Sequence, residues 1–269
     1  MLGFDCPETL SQRIQIMRSA TMVYDDLLRH QAQASFPQEQ VLFVGEPWQS
    51  AHTVVDVGCG NGEYTRLLAE RNTDKHFVAL EPDEKLCALA RRHSYLPNLR
   101  ILHGSLDDLP DDFQVDVLLA RLVLIHVEDP VKDPSKIALW ARNHTMGSII
   151  INPADDRAYV RPLISGLDEV LAKNPERLVP FAGRPDMGPV SAEAWCTAGH
   201  TQVFSRDVVL STTSPGPSGH MLQLMLLNAE LNYGSPLPED LYRILYEWSV
   251  ARDSYVQWGL RGMGFRVLI

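Results

Sequence analysis

Asp56, Glu81 and His126 are the side chains whose settings suggest chemistry, and a glycine-rich turn follows the first of them. Asp56 sits inside an apolar run, VVDV, and an acid there needs a hydrogen-bonding task to justify leaving water. Gly58, Gly60 and Gly62 come next, alternating with Cys59 and Asn61. Glycines at a strand-to-helix turn let the backbone bend sharply and let a ligand lie against it with no Cβ in the way. The helix that begins near Tyr64 offers unpaired N–H groups and the positive end of its dipole. Glu81 ends the next apolar run, FVALE, about where an acid would accept both hydroxyls of an adenosine ribose. Strand, glycine turn, helix, strand, acid: that order specifies a nucleoside-bearing ligand at the carboxyl edge of a parallel sheet.

The elements that must position these groups can be read from hydrophobic periodicity. Residues 9–34 carry apolar residues near helical spacing and predict one or two helices. From TVVDVG onward, strand and helix patterns alternate through EYTRLLAERN, HFVALEP, DEKLCALARRHS, LRILHGS, VDVLLARLVL, PSKIALWARNH and GSIIINP. Five apolar runs separated by helical segments imply βαβ units, and so a parallel sheet covered on both faces. Beyond residue 153 the pattern becomes irregular. SAEAWCTAGH predicts a short helix, HTQVFSRDVVLSTT a strand, and MLQLMLLNAEL and PEDLYRILYEWSVARDSYVQW helices, with FRVLI as a closing strand. The expected organisation is one structural domain: a helical cap over 1–50, a nucleoside-binding core over 51–155, and insertions that complete the sheet over 156–269.

Bulk properties exclude several partners. The chain of 269 residues is 45% hydrophobic and 22% charged, which suits an ordinary globular protein with a sizeable core. Its formal charge of −10 repels phosphate backbones, and no basic patch offsets it, so nucleic acid is not expected as a partner. Cys6, Cys59, Cys87 and Cys196 are scattered without metal-binding spacing, as reduced thiols of a cytoplasmic protein would be. MLGFDCPETLSQR lacks the pattern of a secretory signal, and no apolar run approaches the ~20 residues that span a bilayer. The expectation is a cytoplasmic monomer or homodimer with no membrane partner.

The dinucleotide fingerprint G-x-G-x-x-G fails, because Glu63 stands where its last glycine belongs, and there is no Walker A motif. The segment Val55-Asp56-Val57-Gly58-Cys59-Gly60-Asn61-Gly62 instead resembles motif I of the class I S-adenosylmethionine-dependent methyltransferases. Glu81-Pro82-Asp83 resembles the acidic segment after that motif, HGSLDDLP the stretch that lines adenine, and VDVLLARLVLIHVEDP the fourth strand with its helical turn. The resemblance covers roughly residues 50–155 in order. It implies a doubly wound, mostly parallel seven-stranded sheet with the last strand antiparallel, and S-adenosylmethionine as cofactor, with S-adenosylhomocysteine as product.

The resemblance also implies roles. Asp56 would anchor the loop near the methionine ammonium, the backbone of Gly58, Cys59 and Gly60 would pass under the methionine moiety, and Glu81 would hold the ribose. Pro82 and Leu106 would sandwich the adenine, with Ser105 where the family often carries an aspartate for the adenine amine. Ala120 and Arg121 would close the methionine end. Read from its own place in the N-terminal helix, Tyr24 could lid that end with Trp48 nearby, or pack as core. His126, one or two turns past the fourth strand, could accept a proton from a hydroxyl or amine as the methyl moves, or simply pack in a helix. Asn152, Asp155 and Asp156 are similar to the ligand set of metal-dependent methyltransferases of the catechol type. No acid ends the fourth strand, however, so no metal is expected. Trp195, Trp248 and the methionine-rich helix could line an apolar acceptor pocket or serve as packing. The acceptor expected is a small hydrophobic or aromatic metabolite methylated on O or N, in a setting of specialised metabolism. A protein of this fold that acts as a cyclase, or only binds cofactor, is the alternative.

Overall fold

The first strand, β1 (Thr53–Val57), shows how the sequence divides its side chains between two faces. Val54 joins one hydrophobic cluster, while Val55 and Val57 join another on the opposite side of the sheet. The computed structural model describes residues 19–93, 95–154, 159–161, 187–211, 224, 227, 229–231, 237, 239–250 and 255–267. After β1 come β2 (His76–Glu81), β3 (Leu99–His103), β4 (Val117–Arg121), β5 (Gly147–Pro153), β6 (Tyr159–Arg161), β7 (His200–Ser211) and β8 (Tyr255–Val267). The helices are α1 (Ala20–Glu39), α2 (Glu63–Arg71), α3 (Glu84–His93), α4 (Lys132–His144), α5 (Met187–Thr197) and α6 (Glu239–Val250).

β3, β2, β1, β4 and β5 lie side by side in parallel, and β8 runs antiparallel beside β5. This order places the carboxyl ends of β1 and β4 next to each other at the point where the strand sequence reverses direction. A crevice opens there in such sheets. Leu119, Ile149 and Ile151 alternate with Leu118, Ala120 and Ile150, so β4 and β5 feed both clusters. One cluster packs against α1, α2 and α6, the other against α4 and α5, as a sheet buried on both faces requires.

Two differences from the expectation are informative. Eight strands pair, not seven, yet Gln257 bonds Tyr159 on one side and Ser211 on the other. Because β5 and β7 also flank β8, β6 takes the same edge as β5 and resumes its line after an interruption. The seven-stranded layout therefore holds, with its fifth strand broken. The closing strand is also much longer than FRVLI: it starts at Tyr255, and the preceding helix stops at Val250. The stretch YVQW fits helical spacing locally, but pairing with β7 and β6 outweighs that preference. Residues 1–18, including Cys6 and the first part of the expected cap, lie outside the described residues, as do Asp155 and Asp156.

Candidate active site

Gly58, Gly60 and Gly62 all take the left-handed conformation, with φ of 69°, 61° and 74°. Gly62 caps α2 in that geometry, and the other two are glycine for a second reason, crowding. A Cβ on Gly58 would fall 2.5 Å from Val123 Cγ2, and one on Gly60 would fall 2.8 Å from Leu28 Cδ1. The turn is therefore wedged between α1 and the segment after β4. Cys59 N donates to the Leu80 carbonyl (2.9 Å), and Gly60 N donates to Glu81 Oε2 (2.8 Å), which ties the turn to β2. Asn61 Nδ2 donates to the carbonyl and the side chain of Asp25, fastening α1 over the turn.

Asp56 is buried beneath this turn and accepts a hydrogen bond from Thr65 of α2. Burial raises its pKa from 3.8 to about 7, although Thr65 and Arg121 pull it down. Glu81 is also buried, its two oxygens accepting from Gly60 N and Asp83 N (2.9 Å). Burial pushes its pKa up against those bonds. Each carboxylate oxygen has more than one lone pair, so both can take a further donor. Cys59 is held well above the ordinary thiol range, mainly by burial and then by Asp56 and Glu81, and stays protonated. Glu63 stays ionised: burial works against its charge, but bonds from Arg66 and Gln33 outweigh it.

These groups open onto one cavity of about 620 Å³, a volume typical of small-ligand sites. Asp56, Gly58, Cys59, Gly60, Glu81, Pro82 and Arg121 line one part, and Tyr24 and His126 line it as well. Burial, followed by the charges of Glu81 and Asp83, raises the Tyr24 phenol, which remains neutral. His126 ends a 3-10 turn, Leu124–His126, directly past β4. The remaining wall is mostly apolar, with Leu122, Val123, Ile125 and Val127 after β4, Pro153 and Ala154 after β5, and Trp258 and Leu260 of β8.

Several residues named from the sequence lie outside this lining. Ser105 caps a 3-10 turn, its hydroxyl donating to Asp108 (3.0 Å) and keeping its acceptor lone pairs. Ala120 is buried in the cluster under α4, because the pleat of β4 turns it away from the crevice, and Leu106 of the 3-10 turn packs into the same cluster. Trp48 packs against Phe43 and Phe77, and Trp195 and Trp248 are core residues, so none of the three lines the cavity. Asn152 is wholly buried, donating to Ser191 Oγ (3.1 Å). Among the described residues, no group of three or more His, Cys, Asp or Glu side chains could hold a metal ion.

Sequence reasoning missed Gln31, Leu122 and Trp258 in the wall, and Glu39 behind it. Leu122 adopts φ of 56°, the only non-glycine residue with positive φ among those described, and nothing in its residue type signals this. Trp258 was hidden by the helix expected there.

The model of the family described as "Methyltransferase domain" matches residues 54–138, the stretch from β1 into α4. These residues, about a third of the chain, are similar to a methyltransferase domain. Their fold is Rossmann-like, and Asp56, the glycine turn, Glu81 and His126 all fall inside the matched stretch. Among curated relatives, the trans-aconitate 2-methyltransferase of Acidovorax sp. is 32% identical over 71 residues, 26% of this chain and 27% of the relative. An uncharacterised methyltransferase of Mycobacterium tuberculosis is 31% identical over 116 residues, 42% of this chain and 46% of the relative. The chain thus spans less than half the length of these relatives. The solved structure of the cyclopropane synthase MmaA2 from Mycobacterium tuberculosis is similar over 85% of this chain and 83% of that one. Its TM-score is 0.52 and its identity 15%, a likeness of fold.

Proposed function

We propose that the whole chain is an S-adenosylmethionine-dependent methyltransferase that methylates O or N of a small, apolar or aromatic metabolite. One observation carries this reading: the glycine turn, Asp56 and Glu81 share a single cavity with His126 and an apolar wall contributed by β4, β5 and β8. The residues fit the cofactor. The turn has no side chains to block close approach, and Glu81 keeps acceptor capacity for two ribose hydroxyls. Asp56, charged or poised to become so near neutral pH, suits an ammonium group. Pro82 offers an apolar surface beside Glu81 for the adenine ring.

When bound, the cofactor supplies an electrophilic methyl on a sulfonium. The apolar wall would hold the acceptor by area, and its burial excludes water from the reacting centre. Positioning the nucleophile in line supplies much of the rate in such a site. His126 would take the proton released from a hydroxyl or amine. Among the described residues no helix is long and apolar enough to cross a membrane. A cytoplasmic enzyme of specialised metabolism, monomeric or homodimeric, with neither nucleic acid nor membrane as partner, completes the reading.

The test is incubation with methyl-labelled cofactor and a panel of phenols, aromatic amines and apolar alcohols. Label should move to at least one aromatic or apolar acceptor, and the His126→Ala variant should transfer it slowly. Cofactor binding without label transfer to any of them would contradict the assigned activity.

A further inference from the structure

Behind the cavity, Arg121 is held with unusual completeness on one side and left open on another. Its side chain is 7% exposed, and that of its ion-pair partner Glu39, at the end of α1, is fully buried. Nε donates to both oxygens of Glu39 (2.9 and 3.2 Å), and Nη2 donates to Glu39 Oε1 (2.9 Å) and Ser35 Oγ (2.7 Å). The guanidinium lies 4.0 Å from the centre of the Tyr64 ring, and the Tyr64 hydroxyl in turn donates to Glu39. These contacts use Nε, Nη2 and the flat face. Nη1 makes no hydrogen bond among the described residues, although Arg121 lines the cavity.

A guanidinium never loses its charge in a protein, and its donors form a rigid planar fork. An unmet donor on a nearly buried fork, facing a ligand-sized space, calls for an oxygen acceptor supplied by the ligand. Local charge decides which kind. Glu39 already neutralises Arg121, and Asp56 lies close enough for its charge to be felt there. A dianion such as a phosphate would be repelled by these two acids. A single carboxylate is tolerated best when its molecule also carries a cation for Asp56.

We propose that Arg121 is a carboxylate-binding subsite of the cavity, and that Glu39 is the positioning residue that fixes its fork with Ser35 and Tyr64. The proposal rests on the cofactor reading above. The carboxylate has two possible sources, the amino-acid end of the adenosyl cofactor or an acid group on the acceptor. In either case Glu39, at the end of α1, contributes from behind the cavity wall.

Calorimetric titration with two nucleosides separates the cases. S-adenosylhomocysteine carries the amino-acid end, whereas 5′-methylthioadenosine shares the nucleoside and thioether but lacks it. If the cofactor supplies the carboxylate, Arg121→Gln weakens S-adenosylhomocysteine about 10- to 100-fold, Glu39→Gln weakens it less, and methylthioadenosine is unaffected by either. If the acceptor supplies it, both nucleosides bind every variant normally. In that case phenylacetate binds the S-adenosylhomocysteine-saturated wild type and not Arg121→Gln, while phenylacetamide binds neither form differently. Because Arg121→Gln leaves Glu39 buried and unpaired, a double variant, Arg121→Met with Glu39→Met, removes both charges together and preserves folding. Equal losses for both nucleosides would mean a purely structural role and overturn the proposal, as would the absence of any Arg121-dependent difference in every titration. A wild-type protein that binds neither nucleoside would overturn the cofactor reading itself, and the subsite with it.

Discussion

The two halves of the cavity are built by different means. Around Asp56, Gly58, Gly60 and Glu81 the wall is mostly backbone, buried carboxylates and short hydrogen bonds between neighbouring strands. Around Leu122, Ile125, Ala154, Trp258 and Leu260 it is apolar side chain brought together from β8 and the segments after β4 and β5. The first half recognises a ligand by fixed donors and acceptors, which permit little change. The second recognises by shape and area, which tolerate substitution because volume can be traded between neighbours. A fixed cofactor and a variable acceptor are what these two constructions suit.

The comparison can be broken most severely at His126, which belongs to neither construction. His126→Ala should lower turnover about 10²- to 10³-fold while leaving S-adenosylhomocysteine affinity within about threefold. Rate measurements beside calorimetry check this, and equal losses in both would assign His126 to binding.

In the cofactor half, Glu81→Ala should cost about 30- to 100-fold in S-adenosylhomocysteine affinity, since it removes a charged acceptor for two donors. Far-ultraviolet circular dichroism should be unchanged. Gly58→Ala should weaken the same binding by about tenfold or more, because the new Cβ meets Val123 in a conformation that L-residues avoid.

Asp56 sharpens the contrast through pH. Its pKa is raised on folding from 3.8 to about 7, so the folded state holds its proton more tightly than the unfolded state. The stability associated with that proton is fully present below pH 4 and is lost as the pH rises through about 7. Asp56→Asn should therefore raise the melting temperature of the ligand-free protein at pH 8 and change it little at pH 4. If an ammonium group binds beside Asp56, wild-type binding near pH 7 should release a proton, seen as a dependence of the calorimetric heat on buffer ionisation enthalpy. Asp56→Asn should abolish that dependence.

The smallest effect belongs to the apolar wall. Trp258→Phe should alter the choice among acceptors by about 10-fold or less and leave cofactor affinity unchanged. An equal loss of cofactor binding would show that the two halves are not separable.

The same contrast explains what the sequence could disclose. Asp56 and Glu81 are legible because a charge beside apolar strand residues contradicts its surroundings, and the glycines because left-handed backbone at a strand end needs them. The parallel sheet followed from apolar runs spaced by helical ones. The acceptor wall gives no such signal: Leu122, Ala154 and Leu260 are ordinary core residue types, and only their meeting in space distinguishes them. Glu39 reads as a surface acid of a helix until β4 brings Arg121 against it. Trp258 escaped because local helical spacing and long-range strand pairing disagree, and pairing with β7 wins. Ser105 stands outside the cavity lining, in a turn where its hydroxyl bonds locally to Asp108.

The most direct measurement is calorimetric titration of the purified protein with S-adenosylmethionine and S-adenosylhomocysteine, with NADH and ATP as controls. Saturable binding of the first two alone, lost in Glu81→Ala, is the predicted result. Tight binding of NADH, or no binding of either adenosyl compound, would contradict the account.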